Sequence, residues 1–246
     1  MDTIITNLLA SIEFGEMQVY KNMALIPLFL PDNGSPEYIT MKEALDQKLI
    51  TVTEVSEGGS VHELKVENKG ESPVLLLDSE EMIDAKQNRI LNTTILLKEK
   101  TVTVIPVSCT EKGRWSYRSR DFSDSDVMLS KKIRFSKMSS VSSSLHESGR
   151  YSSNQSEVWH EIDGMFTKAG TSSPTAAMKD VFNEKAGSLG EYADNFKLIP
   201  GQKGVFIFVN GKVDGFDIIS RKSAFSILHS KLLKSYAMDA YLNQNG

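Results

Sequence analysis

PVLLLDSEEMIDAKQNRILNTTILLKEKTVTVIPVSCTEKGRW, residues 73–115, is the stretch on which the reading of this chain turns. Three apolar runs in it, Val74 to Leu77, Ile90 to Leu97 and Val102 to Val107, read as strands of a buried sheet. Between and after them sit two dense polar clusters. The first holds Asp78, Glu80, Glu81, Lys86, Gln87, Asn88, Arg89 and Asn92; the second holds Cys109, Glu111, Arg114 and Trp115. Carboxylates, guanidinium groups and amides beside apolar strand ends are the ingredients of a polar-ligand site.

Upstream, residues 3 to 12 fit a short amphipathic helix or a strand, and periodicity does not separate the two. Met17 to Tyr20 and Met23 to Leu30 read as strands, followed by a turn at Pro31-Asp32-Asn33-Gly34. Thr40 is placed to cap a helix running to Leu49, with Met41, Ala44, Leu45 and Leu49 on one side. Ile50 to Val55 alternates as a strand, Glu57 to Ser60 turns, and His62 to Val66 forms the next strand.

Downstream, Ser116 to Lys137 carries Arg118, Arg120, Lys131, Lys132, Arg134 and Lys137, a basic bias that either attracts an anion or marks a solvated loop or edge. Ten of the twenty-one residues from Ser136 to Ser156 are serine, which predicts a mobile loop because little is gained by burying it. A helix is expected from Gln155, with Val158, Ile162, Met165 and Phe166 on its apolar face. Ser173-Pro174 reads as a helix start, and Leu189 to Phe196 as a short helix. Asn210-Gly211 between Gly204–Val209 and Lys212–Ile219 is a hairpin signal, since both central residues of a type I′ turn need positive φ. A last helix, Ser223 to Leu242, presents Phe225, Leu228, Leu232 and Tyr236 on one stripe. The expectation is one α+β domain over residues 1–246, with a mixed, largely antiparallel sheet and C-terminal helices.

At 246 residues with 40% hydrophobic and 24% charged residues, the chain is long enough to bury a substantial core. A net charge of −4 argues against a nucleic-acid partner, which calls for a basic excess. The single cysteine rules out an intramolecular disulfide and a cysteine-based zinc site. Four scattered histidines argue against a histidine metal site, so no metal is assigned. The N-terminus lacks the basic residue of a signal peptide. Its longest apolar stretch, Met23 to Leu30, falls short of the roughly 20 residues that cross a bilayer. The expected setting is cytoplasmic, with no membrane partner.

Each candidate residue admits two readings. Glu80 and Glu81 are paired carboxylates suited to acid–base work or to binding a divalent ion through oxygen, yet neighbours in a strand point to opposite faces. Along a strand from Gln87 to Leu97, Gln87 and Arg89 share one face while Asn88 and Asn92 share the other. Arg89 offers a planar fork for phosphate or, alternatively, a buried pair with an upstream carboxylate. Cys109 lacks an activating partner motif and reads as a small buried strand-end residue. Glu111, Arg114 and Trp115 are able to serve ribose hydroxyl, phosphate and base in turn, or to form a salt-bridged turn with a core tryptophan. No P-loop, GxGxxG, HExxH or GxSxG is present.

The segments EEMIDAKQNRILNTTILL, IPVSCTEKGRW, SPTAAMKDV, PGQKGVFIFVNGKVDGFDII and KLLKSYAMDA together resemble the ARPP family, proteins associated with the ADP-ribosylglycohydrolase and rhodanese/phosphatase superfamilies. The resemblance runs from about Val74 to the C-terminus. Two positions depart from the pattern: Asp84 stands where glycine is more usual before AKQNR, and Ser79 where Asp-Gly is expected. What the resemblance implies is a link to NAD-consuming and ADP-ribose-processing systems. The expected ligand is therefore a phosphorylated or nucleotide-like small molecule. Lys86, Gln87, Asn88, Arg89, Asn92, Arg114 and Trp115 are its candidate binding residues, and Glu80, Glu81 and Glu111 the candidates for proton transfer. A non-catalytic protein-interaction module, its polar clusters purely structural, is the alternative.

Overall fold

The computed structural model describes residues 3–32, 34 and 36–244. In chain order these form α1 (Thr3–Ala10), β1 (Glu13–Phe14), β2 (Gln18–Tyr20), β3 (Met23–Phe29), β4 (Ile39–Thr40), α2 (Met41–Asp46), β5 (Ile50–Glu54), β6 (Glu63–Asn68), β7 (Val74–Leu76), β8 (Glu80–Asp84), β9 (Arg89–Leu91), β10 (Ile95–Leu97) and β11 (Thr101–Cys109). They continue as β12 (Phe122–Met128), α3 (Lys131–Ser148), α4 (Gln155–Ala169), α5 (Met178–Glu184), α6 (Ala186–Asn195), β13 (Gly204–Val209), β14 (Lys212–Ile218) and α7 (Lys222–Leu242). The fold is α+β and its sheets are mostly antiparallel, with β4 and β7 paired in parallel. Two compact units divide the chain, one from residues up to 36 and from 187 onward, the other from Glu37–Ala186. The first crossing follows the stretch read as a turn at Pro31 to Gly34, of which Asn33 lies outside the described residues.

In the unit Glu37–Ala186, β12, β8, β9, β11, β6 and β5 lie side by side in that order, and a separate sheet runs β10, β7, β4. The larger sheet curls until its edges meet: an antiparallel bridge joins Thr53 in β5 to Asp121 just before β12. Such closure spares the strand edges from pairing with another chain. Alternation along β5 buries Ile50, Val52 and Glu54. Leu64, Val66, Met82, Ile105 and Val107 join Ile50 and Val52 in the core, each contributing about 1.5–3 kcal/mol through burial. Helix α2 adds Met41 and Ala44 to the same core. Thr40 caps it as expected, its hydroxyl accepting from Glu43 N–H at 3.3 Å while the Glu43 carboxylate accepts from Thr40 N–H at 2.8 Å.

Two expectations need correction. The run Ile90 to Leu97 is not one strand but two, β9 and β10, which belong to different sheets. Asn92 turns the chain between them. Its N–H donates to the Pro106 carbonyl at 3.1 Å, its side-chain amide donates to the Tyr151 carbonyl at 3.0 Å, and its side-chain oxygen accepts from Ser108 at 2.6 Å. The serine-rich stretch is not a loop: residues up to Ser148 belong to α3 and those from Gln155 to α4, leaving only Gly149 to Asn154 irregular. Serines on α3 bond back to carbonyls of the preceding turn, Ser139 to Phe135, Ser143 to Ser139 and Ser148 to Ser144. Ile133, Lys137 and Val141 form the buried face at four-residue spacing. Lys137 donates to the Asp78 carboxylate and, at 2.7 Å, to the Leu91 carbonyl. Tertiary anchoring thus overrides a composition that by itself favours disorder. A smaller shift affects α5, which begins at Met178 rather than at Ser173-Pro174, because Ala176 adopts a left-handed φ of 51°.

The backbone is also left-handed at Ser79 (φ 68°) and Asp84 (φ 79°), the two places where the resemblance calls for glycine. Ser79 is fully buried and its hydroxyl has no hydrogen-bond partner among the described residues. Ser79→Gly is therefore expected to raise unfolding stability by about 1 kcal/mol, read as a higher urea midpoint. A lower midpoint would show that the hydroxyl or its packing matters more than the strain.

In the other unit, β1, β3, β13 and β14 form an antiparallel sheet in that order, and β2 also pairs with β3. Asn210 (φ 51°) and Gly211 (φ 72°) make the expected hairpin turn. On α7, Phe225, Leu228, Leu232 and Tyr236 are all buried, and the Tyr236 hydroxyl donates to Asp217 of β14 at 2.7 Å. Among the described residues no helix is long and apolar enough to cross a membrane.

Candidate functional site

The turn from Ala85 to Asn88 and the loop after β11 are held together by Arg114. Its Nε and Nη2 grip the Glu111 carboxylate at 3.0 and 2.7 Å. Nη1 donates to the carbonyls of Ala85 (2.7 Å) and Ser116 (2.9 Å), and Nη2 to the Asp84 carbonyl (3.1 Å) and Asn88 Oδ1 (3.2 Å). Every N–H of the guanidinium is thus committed inside the protein. Glu111 also accepts from Asn88 N–H at 3.1 Å, and Gln87 donates to the Glu111 carbonyl. Burial alone would raise the Glu111 carboxyl, but Arg114, Thr175 and the Asn88 N–H outweigh it and hold it below the ordinary carboxylate range. Gly113 lets this loop lie against the segment before α5: its N–H donates to the Thr175 carbonyl at 2.8 Å, and a Cβ there would stand 2.9 Å from Thr175 Cα. AKQNR, SCTEKGRW and SPTAAM, far apart in sequence, are one cluster in space.

Arg89 is different. It is fully buried, and its Nη1 donates to Gln87 Oε1 at 2.8 Å, yet Nε and Nη2 have no hydrogen-bond partner among the described residues. The nearest carboxylate oxygen, Oε1 of Glu54, is 4.0 Å from Nη2, beyond hydrogen-bond reach. Both Glu54 oxygens also lack a hydrogen-bond partner. The Trp115 ring lies 5.3 Å from the Arg89 guanidinium carbon and 5.5 Å from Lys86 Nζ, and it is 46% exposed rather than a core residue. Lys86 donates to the carbonyls of Glu57 and Gly58, clasping the β5–β6 turn. Cys109 is buried; desolvation pushes its thiol up to about 11 against the pull of Arg89, which leaves it inert at neutral pH.

Glu80 and Glu81 point apart as strand neighbours should. Glu80 accepts from Leu77 N–H at 2.8 Å, and Glu81 accepts from the Thr110 hydroxyl at 2.7 Å. Both are fully buried. Desolvation raises the Glu81 carboxyl to about 7; Thr110 and Ser125 oppose it only in part, and Oε2 has no hydrogen-bond partner among the described residues. Because the folded value lies above the ordinary 4.5, this group's stabilising contribution is complete below pH 4.5 and is lost as pH rises through about 7. Relative to Glu81→Gln, the wild-type chain is expected to lose on the order of 2–3 kcal/mol between pH 4.5 and 8. Parallel pH profiles of urea unfolding for the two proteins would refute this. Asn92, as described, is spent on the turn between β9 and β10, beside a cleft of about 650 Å³ lined also by His62, Arg150 and Tyr151.

Sequence reasoning missed the residues that surround open space. A cleft of about 340 Å³ is lined by Thr53, Glu54, Glu57, Lys65, Tyr117 and Arg120, at the seam where β5 meets the segment before β12. Tyr117 carries Lys86 Nζ at 5.0 Å and the Arg120 guanidinium at 5.8 Å from its ring centre. Alternation held the signal for Glu54: it shares a face with Ile50 and Val52, where an apolar residue belongs. Lys137, seen only as part of a charge run, is buried; so is Arg134. Among the described residues no group of three or more His, Cys, Asp or Glu side chains is placed to hold a metal ion.

A family model, the ARG and Rhodanese-Phosphatase-superfamily-associated Protein domain, ARPP-1, matches residues 11–246. The chain belongs to the ARPP-1 family. The match takes in both units, including the first strands that the sequence segments alone left outside the resemblance. By its description, the ARPP-1 family is associated with the ADP-ribosylglycohydrolase and rhodanese/phosphatase superfamilies. Neither the curated proteins nor the solved structures contain a match to the chain.

Proposed function

We propose that this ARPP-1 domain binds a phosphorylated, nucleotide-like small molecule of the ADP-ribose class in the Glu54–Tyr117–Arg120 cleft. The observation that carries this reading is the lining of mixed character: a half-exposed aromatic ring, Tyr117, with Lys65 and Arg120 beside it and the Glu54 carboxylate within. Aromatic faces take a base, cations take phosphate, and a carboxylate takes hydroxyl donors. The volume lies at the lower end of the roughly 300–1,000 Å³ usual for ligand pockets. Within this reading the site shifts from Arg114 towards Arg89, Trp115 and Lys86, while Gln87, Asn88, Asn92, Arg114 and Glu111 form the frame. Binding rather than turnover is favoured, because Glu80, Glu81 and Glu111 are enclosed and none of them lines the cleft.

Thermal unfolding with ADP-ribose, NAD and inorganic phosphate tests it. ADP-ribose is expected to raise the midpoint where phosphate does not, by the equivalent of about 2.7 kcal/mol at a hundredfold excess over Kd. Tyr117→Ala and Arg120→Ala, both at exposed positions, are expected to abolish the shift without lowering the unliganded midpoint. No shift with any ligand overturns the proposal and favours the protein-interaction module, in which the polar clusters only lock the sheet.

A further inference from the structure

We infer that Glu54 and Arg89 are a specificity pair that reads the vicinal diol of a ribose; the inference rests on the nucleotide-like ligand proposed above and names the part of it that enters deepest. The Glu54 side chain is 2% exposed and lines the cleft, yet neither of its oxygens has a hydrogen-bond partner among the described residues. Behind it Arg89, with no exposed side-chain surface, leaves Nε and Nη2 equally unspent. Buried polar atoms are normally satisfied, and two facing groups left open together mark a place for something else.

The 4.0 Å between Glu54 Oε1 and Arg89 Nη2 selects the chemistry. An oxygen atom about 2.8 Å from both would bridge them, provided that it accepts a hydrogen bond from the guanidinium and donates one to the carboxylate. A hydroxyl does both with a single atom. A phosphate is repelled by Glu54 and has no proton to offer it; a metal ion or an ammonium group is repelled by Arg89. The second carboxylate oxygen, also open, accepts a hydrogen bond from a neighbouring hydroxyl, which makes the preferred group a pair of adjacent hydroxyls. Gly59 (φ 77°) borders the carboxylate from the β5–β6 turn, where a Cβ would stand 3.2 Å from both Glu54 Oε2 and Trp115 Cζ2. The absence of a side chain at Gly59 therefore lets the turn lie close against the carboxylate and the Trp115 ring.

The test is calorimetric titration of the full chain with ADP-ribose and with its two analogues that lack the 2-hydroxyl of either the adenosine ribose or the terminal ribose. One analogue is expected to bind roughly tenfold or more weakly, since a site built to bond a hydroxyl rejects the ligand without it. In Glu54→Gln the same analogue and ADP-ribose are expected to bind within about threefold of each other, because the acceptor pair is gone. Equal binding of all three ligands to the wild-type chain overturns the diol pair, assigns the gap to water and leaves the nucleotide site standing. No binding of ADP-ribose overturns both. A Glu54→Gln chain that still discriminates overturns the role of Glu54 alone and with it the pair.

Discussion

Arg114→Ala is expected to lose about 3–5 kcal/mol of stability, the penalty for leaving the buried Glu111 carboxylate without its cation. The loss is this large because the guanidinium ties together Asp84, Ala85, Asn88, Glu111 and Ser116, so its removal orphans backbone carbonyls as well as a charge. Both tryptophans, Trp115 and Trp159, lie within Glu37–Ala186, so fluorescence during urea unfolding reports on that unit. Arg114→Lys is expected to recover little, since a single ammonium cannot replace a fork that makes bonds in three directions. Adding Glu111→Gln to Arg114→Ala is expected to restore part of the loss, as the uncompensated charge is then gone. A loss under about 1 kcal/mol for Arg114→Ala would overturn the structural role and return Arg114 to the ligand-binding candidates.

Lys137→Met is expected to cost about 2–3 kcal/mol, somewhat less than for a wholly enclosed pair because Asp78 keeps 14% of its side chain exposed. The methionine fills the lysine stem's space but strands Asp78 and the Leu91 carbonyl, both of which accept from the ammonium. Desolvation already lowers the Lys137 ammonium, with Asp78 the main opposing influence, so the pair is more than a surface bridge. A second readout is local. With so many serines and a face held by only a few residues, α3 is expected to become a site of protease cleavage when its anchor goes. Asp78→Asn in the same chain is expected to reverse part of the effect. An unchanged urea midpoint together with an uncleaved α3 would show that Ile133 and Val141 suffice to hold the helix.

Several elements were legible because their causes are local. Asn210-Gly211 needs positive φ at both positions and obtains it; Thr40 caps α2 because its hydroxyl lies within reach of the third residue on; the stripe Phe225, Leu228, Leu232, Tyr236 repeats at the helical period and is buried. The glycine positions named by the resemblance, Ser79 and Asp84, are likewise left-handed. Residues that fail the local test are those whose partner is distant. Asn92 breaks a strand through Tyr151 and Ser108, and α3 is a helix because Lys137 finds Asp78 and Leu91.

The amino-acid sequence by itself determined the α+β class, the strand-rich centre, the capped α2, the late hairpin and the location of a dense polar cluster between β8 and the loop after β11. Only the tertiary structure decided which of those polar groups are spent. Hydrophobic period and turn chemistry act over a few residues, so they survive in a one-dimensional reading. Hydrogen-bond satisfaction depends on atoms brought together from Asp84 to Ser116, or from Glu54 to Arg89, and no spacing records it. Arg114 and Arg89 are the same residue type in neighbouring motifs; folding closes every donor of the first and leaves Nε and Nη2 of the second open, Nη2 lying 4.0 Å from Glu54.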